Sequence, residues 1–263
     1  MLAKINQFIN QVRQLLPLTL HMARMSLKSE SMGTMGGFLW WILDPLFYCA
    51  IYYFVFAVVL KTPMENFVAF LITGLVIFRW VTMSVTQASN SILQKRGLIG
   101  QIDIPKVIFP VQVTLIQFIK FVIAFAAIFI VLVIFGSVNF TTIFMLPVVL
   151  SVGLIFALGS GIFLSALVPL FPDLRNIISM FMRAIRYVSL IFFDISQVPE
   201  NYQIFIEINP LALLIMATRD VILNGQMPDF IHLSYIIIFG IIFGGAGLII
   251  HKRLNRFYPR YLI

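Results

Sequence analysis

The side chains of this sequence most able to do chemistry are basic groups set inside apolar stretches. Arg79, Lys120, Arg183 and Arg186 each interrupt a long hydrophobic run, and Asp44 is the one carboxylate placed the same way. A charge at membrane depth costs about 2.5–3.5 kcal/mol on insertion scales, so a retained one is a functional candidate. Arg183 and Arg186 are three residues apart, which puts them on one helix face. Two guanidinium groups on one face suit a phosphate or diphosphate, whose oxygens they match in pairs. Snorkelling to headgroups is the competing reading, and the sequence leaves both open. Arg79 and Lys120 lie deeper and fit either a ligand or a protein partner.

Trp41, Tyr48, Tyr52 and Phe56 recur at spacings that keep them near one helical stripe. Tyrosine hydroxyls at mid-membrane need partners that lipid does not supply. The stripe could therefore line a passage for a molecule with hydroxyls and apolar ring faces, such as a sugar chain; lipid-facing rings explain part of it equally well. Catalytic signatures are missing. There is no G-x-x-x-x-G-K-[ST] phosphate loop. His21, His232 and His251 are scattered, Cys49 has no second cysteine, and no run contains paired carboxylates. The expectation is a chain with no metal site, no cofactor and no reaction of its own.

The elements that must hold these residues follow from composition. Of 263 residues, 61% are hydrophobic and 11% charged, whereas a soluble globule draws roughly a quarter from Asp, Glu, Lys and Arg. The chain cannot cover itself in water. No polar stretch is long enough to form a soluble head, and the same composition excludes a disordered or disulfide-stapled protein. A bilayer core of about 30 Å takes about 20 apolar residues per helix. Six runs fit, at 38–60, 67–93, 107–135, 141–170, 177–193 and 231–250. Gly136, Ser137, Val138 and Asn139 fold the third run onto the fourth as a hairpin. Segment 194–229 carries Pro199, Pro210 and Pro228 around two short apolar pieces, the pattern of a chain that enters one membrane face and returns.

With a cytosolic amino terminus, the inner segments hold twelve Lys and Arg residues and the outer segments two, Lys61 and Arg219. The positive-inside rule then places both termini in the cytosol. The formal charge of +8 reads as membrane orientation, not as nucleic-acid binding. Leu2, Ile5, Phe8, Ile9 and Val12 alternate with polar residues at helical spacing, which predicts an amphipathic helix on the cytosolic membrane surface ending at Pro17. Residues 1–37 form this cytosolic interface region and 38–263 a six-span transmembrane domain. The loop 94–106, with Lys95, Arg96, Gly97 and Asp103, is the longest charged inner connection and suits docking to a cytosolic protein.

In order and spacing, several short motifs together resemble one family, the membrane subunit of bacterial type-2 ABC exporters of surface polysaccharide. Met35-Gly36-Gly37-Phe38-Leu39-Trp40-Trp41-Ile42-Leu43-Asp44-Pro45-Leu46 is similar to the family's L-G-x-L-W-x-x-x-x-P-L. Phe70-Leu71-Ile72-Thr73-Gly74-Leu75 resembles its second-span opening, and Asn90-Ser91-Ile92-Leu93 with Gly97-Leu98-Ile99 its cytosolic turn. Phe171-Pro172-Asp173-Leu174-Arg175 is similar to its F-x-D-L loop, with Pro172 where arginine is usual. Val198-Pro199-Glu200, Asn209-Pro210-Leu211 and Arg219-Asp220 resemble its outer re-entrant segment. Arg79 stands where relatives often carry proline and tryptophan.

The resemblance implies an all-α permease that pairs as a homodimer and binds two copies of a separate ATPase, which holds the ATP and magnesium. Arg24 and Lys28 in the amino-terminal region, with Lys95, Arg96 and Gly97, would be the coupling surface. A polysaccharide on undecaprenyl diphosphate would cross the bacterial inner membrane between the protomers, with Arg183, Arg186, Arg79 and Lys120 as diphosphate contacts and the first-span rings as polymer contacts. O-antigen is favoured over capsule or teichoic acid. An ion-coupled carrier is the alternative from another class, and the scarcity of mid-membrane acids speaks against it.

Overall fold

The computed structural model of the chain describes residues 17–30, 36–37, 39–59, 66–99 and 104–254. The predicted amphipathic helix before Pro17 and part of the 94–106 loop lie outside these residues, as do the side chains of Cys49 and Phe56. Every regular element among the described residues is helical. They are α1 (17–30), α2 (Leu39–Tyr53) continued by a π turn (Phe54–Val59), α3 (Phe67–Gln94), α4 (Arg96–Ile99), α5 (Ile108–Ile134), α6 (Leu146–Leu167), α7 (Leu174–Ile185), α8 (Glu200–Glu207), α9 (Pro210–Arg219) and α10 (Phe230–Leu254).

Among the described residues four helices are long and apolar enough to cross a membrane: Phe67–Gln94, Ile108–Ile134, Ile143–Leu167 and Phe230–Leu254. They coincide with four of the six predicted spans. Several hydroxyls inside them are satisfied by their own helix, as where Thr73 donates to the Ala69 carbonyl at 2.6 Å and Thr114 to that of Pro110 at 3.0 Å, while those of Ser84, Ser91 and Ser160 are buried without a partner. α3 is the central element and packs on α2, α5, α6, α7 and α9. Its Leu71, Ile77 and Phe78 are fully buried against the cluster that includes Leu213 and Leu214 of α9. α6 and α10 meet backbone to backbone. A Cβ at Gly159 would collide with the Gly240 carbonyl, and one at Gly247 would lie 2.7 Å from the Phe163 backbone. Small residues allow this approach where lipid gives no hydrophobic drive to pack.

The two ends of the bundle are distinct. At one, Gly136 turns the chain between α5 and α6 at φ 67, and the Asn139 amide donates to the Ile222 carbonyl at 2.8 Å just beyond α9. Thr142 donates to the Val221 carbonyl at 3.2 Å. The predicted hairpin turn and the predicted re-entrant segment therefore share a side. At the other end, Ile92, Ile99 and Phe109 form a small core with Met22 and Leu254. This core gathers α1, the end of α3, α4, the start of α5 and the end of α10, together with Lys95, Arg96, Lys252 and Arg253.

The fifth predicted span departs from a simple rod. α7 stops at Ile185, a 3-10 turn follows over Arg186–Val188, and the chain leaves helical geometry at Leu190, whose φ is 54. Long-range packing is the cause. Arg219 at the end of α9 is 5% exposed and donates to the carbonyls of Leu190 (2.5 Å), Ile191 (3.1 Å) and Phe70 (2.9 Å), lying 3.3 Å over the Phe70 ring. Carbonyls that would have continued α7 are held by this guanidinium instead. The residue read from sequence as an outer charge is a buried clamp joining α3, α9 and the unwound segment.

Candidate functional site

Lys120 is 12 residues into α5, about 18 Å from its start, and Arg79 is equally far into α3. α2 lays Trp41, Asp44 and Tyr48 across the groove between these two helices. Arg79 Nη2 is 2.5 Å from Asp44 Oδ2, and the guanidinium stands 5.3 Å from the centre of the Tyr48 ring. Lys120 pairs with Glu30 of α1 and lies 5.4 Å from the Trp41 ring. One step toward the basic end, Gln117 Nε2 donates to Gln87 Oε1 at 2.7 Å. Trp41, Asp44, Arg79, Gln87, Gln117 and Lys120 bound a cavity of about 290 Å³ whose inner wall is Trp80, stacked 4.3 Å from Phe121. The Trp80 Nε1–H is buried without a partner.

The pairing decides the electrostatics. Each of the two deep cations has a carboxylate within ion-pair distance, so neither presents a full uncompensated charge. Both pairs are partly open, with Asp44 and Glu30 side chains 50% exposed. What they fix is position: one ties α1 to α5, the other α2 to α3.

The two fifth-segment arginines fall into different surroundings. Arg186 Nη1 donates to the Tyr52 hydroxyl at 3.0 Å, its guanidinium lies 5.7 Å over the Phe78 ring, and its Nε is buried without a partner. Tyr52 also meets Phe192 edge to face at 4.8 Å. Arg183 is exposed on α7, a helix in which Ile178 alone is buried while Ile177, Met180 and Phe181 stand open. Of the ring stripe, Trp41 and Tyr52 turn toward the body of the protomer, and Tyr48 is 42% exposed beside Arg79. Phe56 lies in the π turn after α2. The opposite side of α2, with Trp40, Phe47 and Phe54, is open.

Lys95, Arg96 and Gly97 are exposed around α4, which is anchored by buried Ile99; a Cβ at Gly97 would meet nothing within 4 Å. Arg24 and Lys28 are exposed on the side of α1 away from Met22. Asn209 caps α9 by accepting from the Leu211 amide at 3.0 Å and donates to Ser189 at 3.0 Å, with Pro210 in the first helical position. Asp220 accepts from Asn224 at 3.0 Å. Among the described residues no three His, Cys, Asp or Glu side chains gather as a metal site. Sequence reasoning missed Glu30, Gln87, Gln117 and Trp80. Two amides inside predicted spans were the available signal for the glutamines.

No family model matches the chain. Among curated proteins it is 28% identical over 230 residues to the O-antigen export system permease protein RfbA of Klebsiella pneumoniae, covering 87% of this chain and 88% of the relative. The RfbA permease of Myxococcus xanthus is 23% identical, over 85% of this chain and 86% of its own. The polysialic acid transport protein KpsM of Escherichia coli is 20% identical, over 82% and 85%. Over nearly its full length the chain is thus similar to two kinds of polysaccharide-exporter permease, and among its described residues it shows an all-helical bundle with four long apolar helices.

Proposed function

We propose that this permease exports a lipid-linked polysaccharide, an O-antigen on undecaprenyl diphosphate, across the bacterial inner membrane through a channel between two copies of the chain. The observation that carries the reading is the similarity over 87% of the chain to a permease of O-antigen export. The geometry of α7 supports the dimeric channel. A helix that carries exposed Arg183 and packs on its own protomer through Ile178, Met182 and Ile185 leaves the face with Ile177, Met180 and Phe181 open for a second copy and a passing polymer. In this reading α2 with its π turn and α7 with the unwound segment make two crossings beyond the four long helices; six crossings put both termini on one side, and the positive-inside rule makes that side the cytosol.

In this arrangement Arg183 and Arg186 meet the diphosphate, and Tyr48 with the open rings of α2 meets the glycan. Arg79 and Lys120, each held by a carboxylate, position α2 and α1 beside that path. Lys95, Arg96 and Gly97 dock two copies of the cytosolic ATPase subunit, with Arg24 and Lys28 flanking on the same end. The test is reconstitution in proteoliposomes with the partner ATPase, following ATP-dependent movement of a fluorescent lipid-linked O-antigen. Movement on an ion gradient without ATPase would refute the reading. Movement of an acidic capsule-type chain but not of the O-antigen would reassign the substrate.

A further inference from the structure

A second hollow lies on the other side of Lys120, between α1, α2 and α5, with an open volume of about 570 Å³. Its rim is basic. His21, Arg24 and Lys28 follow one another at spacings of three and four along α1, and among the described residues no carboxylate lines the hollow. Its floor is apolar, formed by Trp41 of α2 and by Ile119 and Ile123 of α5.

The floor continues. From Ile119 and Ile123 an exposed stripe runs along α5 through Ala126 and Ile130, at steps of four, three and four residues. Eleven residues of helix rise about 16 Å, close to half of a hydrocarbon core of about 30 Å. The direction of the stripe is fixed by the packing of α1. Met22 sits with Phe109 at the basic end of the bundle, Ser26 accepts from Gln112 Nε2 at 3.1 Å, and Glu30 reaches Lys120. The basic rim therefore lies toward the end that carries Lys95, Arg96, Lys252 and Arg253, and the apolar stripe leads away from it.

We propose that this groove holds an anionic phospholipid of the cytosolic leaflet, its phosphate on Arg24, Lys28 and His21 and an acyl chain along Ile119, Ile123 and Ile130. The match is to an amphiphile with a negative head and an apolar tail one leaflet long. A docked protein would meet the basic rim but has no use for an apolar stripe that leads into the bilayer. The inference goes beyond the export reading, because it needs only that the chain lies in a membrane with its basic end at the cytosolic side. Through Trp41, the bound lipid would brace the start of α2 beside the Lys120–Glu30 pair.

The full-length protein, with Trp41 as sole tryptophan (Trp40→Phe, Trp80→Phe), is placed in phosphatidylcholine nanodiscs containing a small fraction of phosphatidylglycerol with brominated acyl chains. Bromine quenches tryptophan on contact. The expected result is a preference of about tenfold per mole for brominated phosphatidylglycerol over brominated phosphatidylcholine. Unlabelled phosphatidylglycerol should relieve the quenching, and Arg24→Gln with Lys28→Gln should abolish the preference. Equal quenching by the two lipids, or a preference that survives the paired substitution, overturns the proposal. If that variant does not insert, competition in the parent decides, and failure of phosphatidylglycerol to relieve quenching is again refutation. Displacement by undecaprenyl diphosphate at a far lower mole fraction than by phosphatidylglycerol also overturns the phospholipid assignment. Neither ATPase nor polymer is present, so the outcome is independent of the export test.

Discussion

Replacing Arg219 by methionine should unfasten the fifth segment from the bundle. The substitution leaves an apolar side chain of similar length where a guanidinium now serves the carbonyls of Leu190, Ile191 and Phe70. Phe70 lies within α3, so its carbonyl keeps a helical role. Leu190 and Ile191 lie where the chain has left the helix, and no helical amide is positioned to replace the lost donor. Two buried acceptors left unpartnered cost about 1–3 kcal/mol each. Part of this is offset because methionine need not be stripped of the water that a guanidinium gives up on burial. The expected loss is about 2–4 kcal/mol. Arg219→Lys keeps the charge but offers a point donor in place of a planar fork that spans two chain segments, so it should fall between the two.

The assay is an SDS titration of the purified permease in mixed micelles, followed by tryptophan fluorescence. Maleimide labelling of a Val188→Cys variant, made with and without the Arg219 change, reports the unwound segment directly. The order of stability should be parent, then lysine, then methionine, with faster labelling in the methionine variant. A methionine variant within about 0.5 kcal/mol of the parent would refute the clamp, since changes of that size are typical of inconsequential surface sites.

Three further outcomes follow from the geometry. Asp44→Asn and Arg79→Gln should each destabilise the protein, and the double variant should be less affected than their sum, with a coupling of about 0.5–3 kcal/mol in the same titration, as for groups in direct contact; strict additivity would mean that the two groups do not interact in the bilayer. Arg183→Gln with Arg186→Gln should weaken stimulation of the partner ATPase by lipid-diphosphate-linked glycan, and unchanged stimulation would return both arginines to a snorkelling role. Gly97→Cys should leave stability unchanged, because its Cβ enters open space, and its maleimide labelling should be suppressed when the ATPase is added; labelling at the same rate in the complex removes α4 from the coupling surface.

Features that depend on neighbours in the chain were legible in the sequence. The turn at Gly136, read as part of the hairpin connection, needs a positive φ that glycine adopts without strain. The ring stripe of α2 was legible as a period, yet the side it faces was not. In lipid, the polar-outside rule that orients an amphipathic helix in water does not apply, so Tyr52 could be found facing Arg186 only in three dimensions. The break at Leu190 was hidden for a related reason. Nothing local to 186–193 ends the helix, and the donor that takes its carbonyls is 28 and 29 residues further along.

The Lys120–Glu30 pair changes more than one entry in the charge map. Counted along the sequence, four cations in the spans faced Asp44 alone, and a substrate phosphate could have drawn on all of them. Glu30, assigned to the cytosolic segment, reaches Lys120 from α1, and Asp44 holds Arg79. An anion approaching either cation must compete with a carboxylate already within ion-pair distance, and at this depth the attraction it gains is largely cancelled. Among the described residues no carboxylate forms an ion pair with Arg183 or Arg186; Arg186 has a neutral hydroxyl and an unpartnered Nε–H instead. Of these four cations, the two not ion-paired with a carboxylate thus lie on α7 and its 3-10 extension. That is also the segment whose sides are left open, so charge and accessibility coincide there and nowhere among the paired cations.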